Sequence, residues 1–325
     1  MKLKNEIENV RAFLPNKEVI FKNNEIISLK QNSKNIVDNA LRLFDLKTSI
    51  LVLDDLNFID SKINYKVHYV SLPYLGIYTK KPKYVDGVYN YSENKVLFET
   101  EHSLNGLFIN DNYIFTDDIT CRNINNGEKL WHFDLSQFGA WKNFENKDKD
   151  YEVEQFIGIA NNCLYVLLSN FKLIALNVEN GHLVQQLNLG EQFALEDRNW
   201  LSNSSKMYLD EANNRIIWLT SATLLHIDLA TFKAKLIKDY FNVPLENLWR
   251  FKRSNFQEQQ LLFTAQNGRE GGDPDIVGIM NPDTGEILWQ YQITETQGLY
   301  EEPQLANNKL YVKSLDNVLY IFEKE

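Results

Sequence analysis

Residues Ile279-Met280-Asn281-Pro282-Asp283-Thr284-Gly285-Glu286-Ile287-Leu288-Trp289 decide how the rest of the chain is read. An apolar run ends in Asn, a Pro-Asp-Thr-Gly turn follows, and a second apolar run starts at once. Two short apolar runs joined this tightly describe an antiparallel hairpin, and the glycine supplies the positive φ that the turn demands.

The plan recurs in both directions. Upstream lie Cys121 to Ile124 with the turn Asn125-Asn126-Gly127 and Leu130-Trp131. Leu173 to Leu176 precede Glu179-Asn180-Gly181, and Leu225-His226-Ile227-Asp228 precede a turn at Thr231. Downstream, Asn307-Asn308-Lys309-Leu310-Tyr311-Val312 and Val318 to Phe322 form an incomplete copy. Two weaker copies stand at the start. One pairs Asn24-Glu25-Ile26-Ile27 with Leu41 to Asp45; the other pairs Val67-His68-Tyr69-Val70 with Gly87 to Tyr91. Gly127, Gly181, Thr231 and Gly285 are 54, 50 and 54 residues apart, room for four strands and their loops. The runs are short and rich in Val, Ile, Tyr and Phe, which suits strands. The expectation is an all-β chain, one domain over residues 1–325, folded as a seven-bladed β-propeller of four-stranded antiparallel blades, with six or eight blades as alternatives. The last copy lacks its outer strand; residues 10–14 are expected to supply it and close the ring.

The segments NNGEKLWHFDL, NPDTGEILWQYQI and ALNVENGHLVQQL resemble the quinoprotein-type propeller repeat. That resemblance implies architecture, and it is carried well by three blades. The family includes pyrroloquinoline quinone dehydrogenases and periplasmic scaffold lipoproteins. The vicinal cysteines of the dehydrogenases and the lipidated leader cysteine of the scaffolds are missing here, so the resemblance leaves the function open.

The 325 residues are 44% hydrophobic, and 44 acidic against 34 basic side chains give a net charge of −10. That balance disfavours nucleic acid and anionic lipid and favours a basic partner. No leader-like apolar stretch and no 18-residue apolar run occur, so a cytoplasmic location without a membrane is expected. Cys121 and Cys163 read as small buried hydrophobes rather than functional thiols. No histidine stands at metal-ligand spacing; His68 and His226 read as hydrogen-bonded strand residues, and His132 and His182 as solvent-facing. The acidic run around Asp148 fails the calcium-loop pattern, with Val153 where glycine is needed. No catalytic residue, cofactor site or metal site is expected, and the chain is read as a non-enzyme.

One constellation is a candidate docking site. Trp141, Trp200, Trp249 and Tyr300 fall in connectors at intervals of 59, 49 and 51 residues. Carboxylates accompany them: Asp148, Asp150, Glu152 and Glu154; Glu196 and Asp197; Glu246; Asp273 and Asp275; Glu301 and Glu302. Aromatics anchor protein interfaces and carboxylates steer a basic partner, although the tryptophans could equally fill space between sheets. The leading expectation is a protein-binding module, in its sharpest form an immunity protein that neutralises a basic cytotoxic effector. The alternatives are a quinone-dependent or other propeller enzyme, and a scaffold or ligand sensor.

Overall fold

A computed structural model describes residues 1–14, 19–22, 25–28, 33–36, 66–71, 74–79, 83–90, 93, 95–101, 103–104, 106, 108–110, 112–143, 145–193, 206–240, 249–267, 273–294 and 296–323. They form two compact units, Met1–Val37 with Glu191–Glu325, and Asp38–Gly190. Among the described residues there are seven four-stranded antiparallel sheets, numbered 1 to 7 here in chain order, and helix is confined to Leu189–Phe193 and two 3-10 turns.

The second unit holds three sheets. Sheet 2 is Lys66–Ser71, Tyr74–Thr79, Val85–Asn90 and Lys95–Thr100. Sheet 3 is Phe108–Ile109, Tyr113–Phe115, Thr120–Asn123 and Lys129–His132. Sheet 4 is Val153–Ala160, Cys163–Leu168, Lys172–Asn177 and Leu183–Asn188. Each is a meander in sequence order. The middle strands of sheet 4 are buried on both faces, whereas its last strand alternates half-buried and exposed. That is why the middle strands read as continuous apolar runs and the outer one as an alternating run. Val88 packs with Ile109 and Ile114 between sheets 2 and 3; Phe115 and Trp131 pack with Leu164 and Ile174 between sheets 3 and 4.

The turn glycines explain themselves in this packing. Gly181 has φ +72 and lies beneath the Trp131 ring, whose Nε1–H donates to the Val178 carbonyl at 2.9 Å. The turn of one sheet is therefore the seat of the aromatic that ends the sheet before it. A bulge follows the turn in several outer strands. The ladder skips Leu130, Val184 and Leu288, and these stand 45%, 51% and 51% exposed. An extra residue breaks the regular hydrogen-bonding of an edge strand, which blunts it against pairing with another chain.

The first unit holds sheets 1, 5, 6 and 7. Sheet 5 is Met207–Asp210, Arg215–Leu219, Thr223–Asp228 and Lys233–Asp239. Sheet 6 is Trp249–Gln257, Gln260–Asn267, Ile276–Met280 and Ile287–Gln292. Sheet 7 takes Gln304–Ala306, Lys309–Lys313 and Leu319–Glu323 from the C-terminal part, and Lys2–Ile7 as its outer strand, with Lys2 opposite Glu323 and Ile7 opposite Leu319. Apolar clusters join sheet 5 to 6, 6 to 7 and 7 to 1.

Here the sequence expectation is corrected. Val10–Leu14 does not complete the last sheet; it opens sheet 1, followed by Val19–Lys22, Glu25–Ser28 and Ser33–Ile36. Val10 and Phe13 are buried against Tyr311, Leu319 and Ile321, as an inner strand requires. Lys2–Ile7, mostly exposed, has the polar character of an edge. Of residues 24–27, read as opening a unit, Glu25, Ile26 and Ile27 sit in its third strand, and Asn24 and residues 41–48 lie outside the described residues. The copy at residues 67–91 is found as sheet 2.

Candidate functional site

Trp141 sits on a two-stranded hairpin, Ala140–Lys142 paired with Asp148–Asp150, placed between sheets 3 and 4 in sequence. It is half-buried, stands opposite Lys149, and its Nε1–H donates to the Asp150 carbonyl at 3.3 Å. Lys142 pairs with Asp148 at 2.7 Å and Lys147 with Glu145 at 2.6 Å, both exposed. Exposed pairs of this kind hold little energy and leave the ions available to a partner. The chain then enters the first strand of sheet 4, where the ladder skips Glu154. Glu152 and Glu154 are exposed, and neither joins an ion pair among the described residues. Partial removal from water, and then the neighbouring Glu152 charge, raise the Glu154 carboxyl above its ordinary value. Lys172 lies close by in the fold, but its amine rests over the Phe138 and Tyr151 rings at 4.5 and 4.9 Å.

In the first unit the candidate residues are more committed. The Tyr300 hydroxyl donates to Asp273 at 2.6 Å, which raises the phenol's pKa, with burial adding to the effect. The Tyr300 carbonyl accepts from Arg253 Nε at 2.8 Å. Asp275 accepts from Gln292 at 2.7 Å. Glu301 pairs with the largely buried Lys313 at 2.6 Å, and Glu302 with Lys206 at 2.5 Å. These acids serve internal contacts first.

Trp249 is a core residue: 8% exposed, stacked on Phe251 and edge-on to Phe263. As a docking anchor it is withdrawn, because a partner cannot reach it. Glu196, Asp197, Trp200 and Glu246 lie outside the described residues.

The histidines and cysteines have clear places. His226 in sheet 5 accepts from Arg215 at Nδ1 (3.2 Å) and donates from Nε2 to the Pro282 carbonyl (2.8 Å). Arg215 also binds the buried Asp210 at 2.8 Å and reaches Asp283 at 2.6 Å, tying sheet 5 to the Asn281–Gly285 turn of sheet 6. His132 and His182 are exposed, and the side chain of His68 is outside the described residues. Burial pushes the Cys121 thiol up to about 12 and raises Cys163 as well. Among the described residues no group of three or more His, Cys, Asp or Glu could hold a metal, and no helix is long and apolar enough to cross a membrane.

Sequence reasoning missed an open cleft between sheets 6 and 7. It is lined by Met1, Ile279, Leu288, Trp289 and Leu305, with Glu258 at its edge. Nothing in the residue pattern signals it: the last repeat lacks a turn glycine, but so does the repeat that turns at Thr231.

The sheet succession supports a β-propeller type of fold. No protein-family model and no curated protein matches the sequence. Among solved structures the chain is similar to the computationally designed Ika8 protein, with a TM-score of 0.58, 10% identity, and coverage of 99% of this chain and 98% of that one. It also aligns with BamB from Moraxella catarrhalis, with a TM-score of 0.46, 12% identity and 99% coverage of both chains. At such identity the likeness to the designed protein bears on fold alone.

Proposed function

We propose that the seven sheets are the blades of one closed propeller, and that the chain binds a basic protein without catalysing a reaction. The observation that carries this reading is the Trp141 hairpin running into Glu152 and Glu154. A hairpin carrying a half-buried indole leads into two exposed carboxylates that have no ion-pair partner among the described residues, and partial removal from water, then the Glu152 charge, raise the Glu154 carboxyl above its ordinary value. Like charges held together without a cation are relieved when a partner supplies one. The net charge of −10 extends the same field to longer range. In its sharpest form the bound protein is a basic cytotoxic effector, which this chain sequesters.

The test begins with affinity purification from the native host and identification of the bound protein. Association of that protein with the purified chain is then followed against ionic strength. A one-to-one complex is expected, forming about tenfold more slowly in high salt or with the Glu152→Lys, Glu154→Lys double variant. An acidic partner, or a rate indifferent to both salt and charge reversal, overturns the reading.

A further inference from the structure

In sheet 4 the aromatic closing the sheet before it rests on a turn: Trp131 covers Gly181 and donates to Val178. Trp289 has the same place in sheet 6, four residues after Gly285, as Trp131 has after Gly127. Its seat, however, is different. The third and fourth strands of sheet 7 come from opposite parts of the sequence, so no turn joins them. Trp289 Nε1–H donates instead to the Met1 carbonyl at 3.1 Å. Where the turn would lie there is a cleft of about 280 Å³.

We propose that this cleft is a docking site for a peptide segment of a partner protein, one that presents an aliphatic or aromatic side chain next to Lys or Arg. Three observations select that occupant. The equivalent place in sheet 4 is filled by polypeptide, the Val178 to Gly181 turn, so the space suits a chain segment. The volume is at the lower end of the roughly 300–1,000 Å³ typical of small-molecule and cofactor sites, and has room for an anchoring side chain. The walls are apolar, from Met1, Ile279, Leu288, Trp289 and Leu305, and among the described residues the charged side chain lining them is Glu258, exposed in the hairpin between the first two strands of sheet 6. A cation beside the anchor meets that carboxylate, while Gln260 and Asn308 offer amides to the peptide backbone. Leu288 is 51% exposed, so its apolar surface faces water until something covers it. This site is separate from the Trp141 hairpin and stands or falls independently of it.

The experiment is selection of a displayed library of random linear peptides against the full chain. Enriched sequences are expected to pair a large apolar residue with Lys or Arg. Leu288→Asp is expected to weaken them at least about tenfold and Glu258→Lys several-fold. Leu130→Asp, at the exposed bulge of sheet 3, is expected to leave affinity unchanged, as is the Glu152→Lys, Glu154→Lys double variant. Leu288 is a surface residue, and unchanged thermal denaturation verifies that its variant folds. Enrichment of acidic peptides, absence of any enriched class, or binding indifferent to Leu288→Asp overturns the proposal.

Discussion

The indole of Trp131 lies so close over Gly181 that a β-carbon on that glycine would stand 2.5 Å from Trp131 Cε3. The glycine is thus required twice, once for its φ of +72 and once for the ring above it. Gly181→Ala is expected to cost roughly 2–4 kcal/mol, overpacking added to left-handed strain. Gly139 has a φ of +67 with nothing within 4 Å of its missing β-carbon. Its ψ of −160 is a backbone region that glycine alone enters easily, so Gly139→Ala should cost roughly 1–3 kcal/mol of strain with no overpacking added. Urea denaturation should show Gly181→Ala losing more in the native chain than in a Trp131→Leu background, where the strain stays and the overpacking is gone; equal losses in the two backgrounds would show that the indole contact contributes nothing.

The Asp210–Arg215–His226 network predicts acid sensitivity. Burial, then the Arg215 charge, lower the His226 pKa below its ordinary 6.5, so the fold favours the neutral ring. Stability from this group is present above about 6.5 and is lost as pH falls below it, because the unfolded chain takes up the proton first. Protonated Nδ1 could no longer accept from Arg215 and would face its charge. Stability measured at pH 7.5 and 5.5 should drop more in the native chain than in His226→Gln.

At Asp210 burial opposes ionisation, but hydrogen bonds from Asn213, Arg215 and Gln259 and the Arg215 charge outweigh it, and the pKa is lowered. This contribution is present above the ordinary carboxylate value and fades as pH falls below it. Asp210→Asn is expected to cost about 3 kcal/mol, the low end for a broken buried pair, since Arg215 keeps Asp283. A change in the denaturation midpoint too small to measure would mean that the pair is neutral in stability.

The two thiols should react in order. Cys121 is fully buried with its pKa pushed to about 12, and Cys163 is half-buried with a smaller rise. A thiolate-specific reagent at pH 8 should label Cys163 first and Cys121 only on unfolding. Simultaneous labelling of both in native buffer contradicts the packing around Cys121.

Removing residues 1–8 should both weaken and expose the first unit. Met1, Leu3 and Ile7 are half-buried, and at half the value of full burial their loss costs about 3 kcal/mol. The strand Leu319–Glu323, four of its five residues buried, would become a bare edge. Sedimentation velocity should then report self-association; a strictly monomeric truncated chain would argue that Lys2–Ile7 is dispensable there.

What could be read beforehand followed from backbone demands. Gly127, Gly181 and Gly285 announce themselves because each turn needs positive φ, and continuous apolar runs such as Leu164 to Leu168 mark strands buried on both faces. The outer strand Lys2–Ile7 was illegible because an edge keeps its polar residues, and nothing in its alternation separates it from a loop. Trp141 and Trp249 look alike in sequence, both in connectors, yet one lies on a hairpin and the other in a core; three-dimensional packing alone distinguishes them. The cleft beside Trp289 was hidden because it arises from a turn that the topology leaves out.

Lys2 finds its neighbour in Glu323, so this strand pairs with residues made long after it. During synthesis on the ribosome, sheets 2, 3 and 4 can assemble from adjacent hairpins as they emerge, whereas residues 2–7 must wait until residues 319–323 have been made. A polar, weakly sticky strand tolerates that wait better than an apolar one would, and its composition fits the delay.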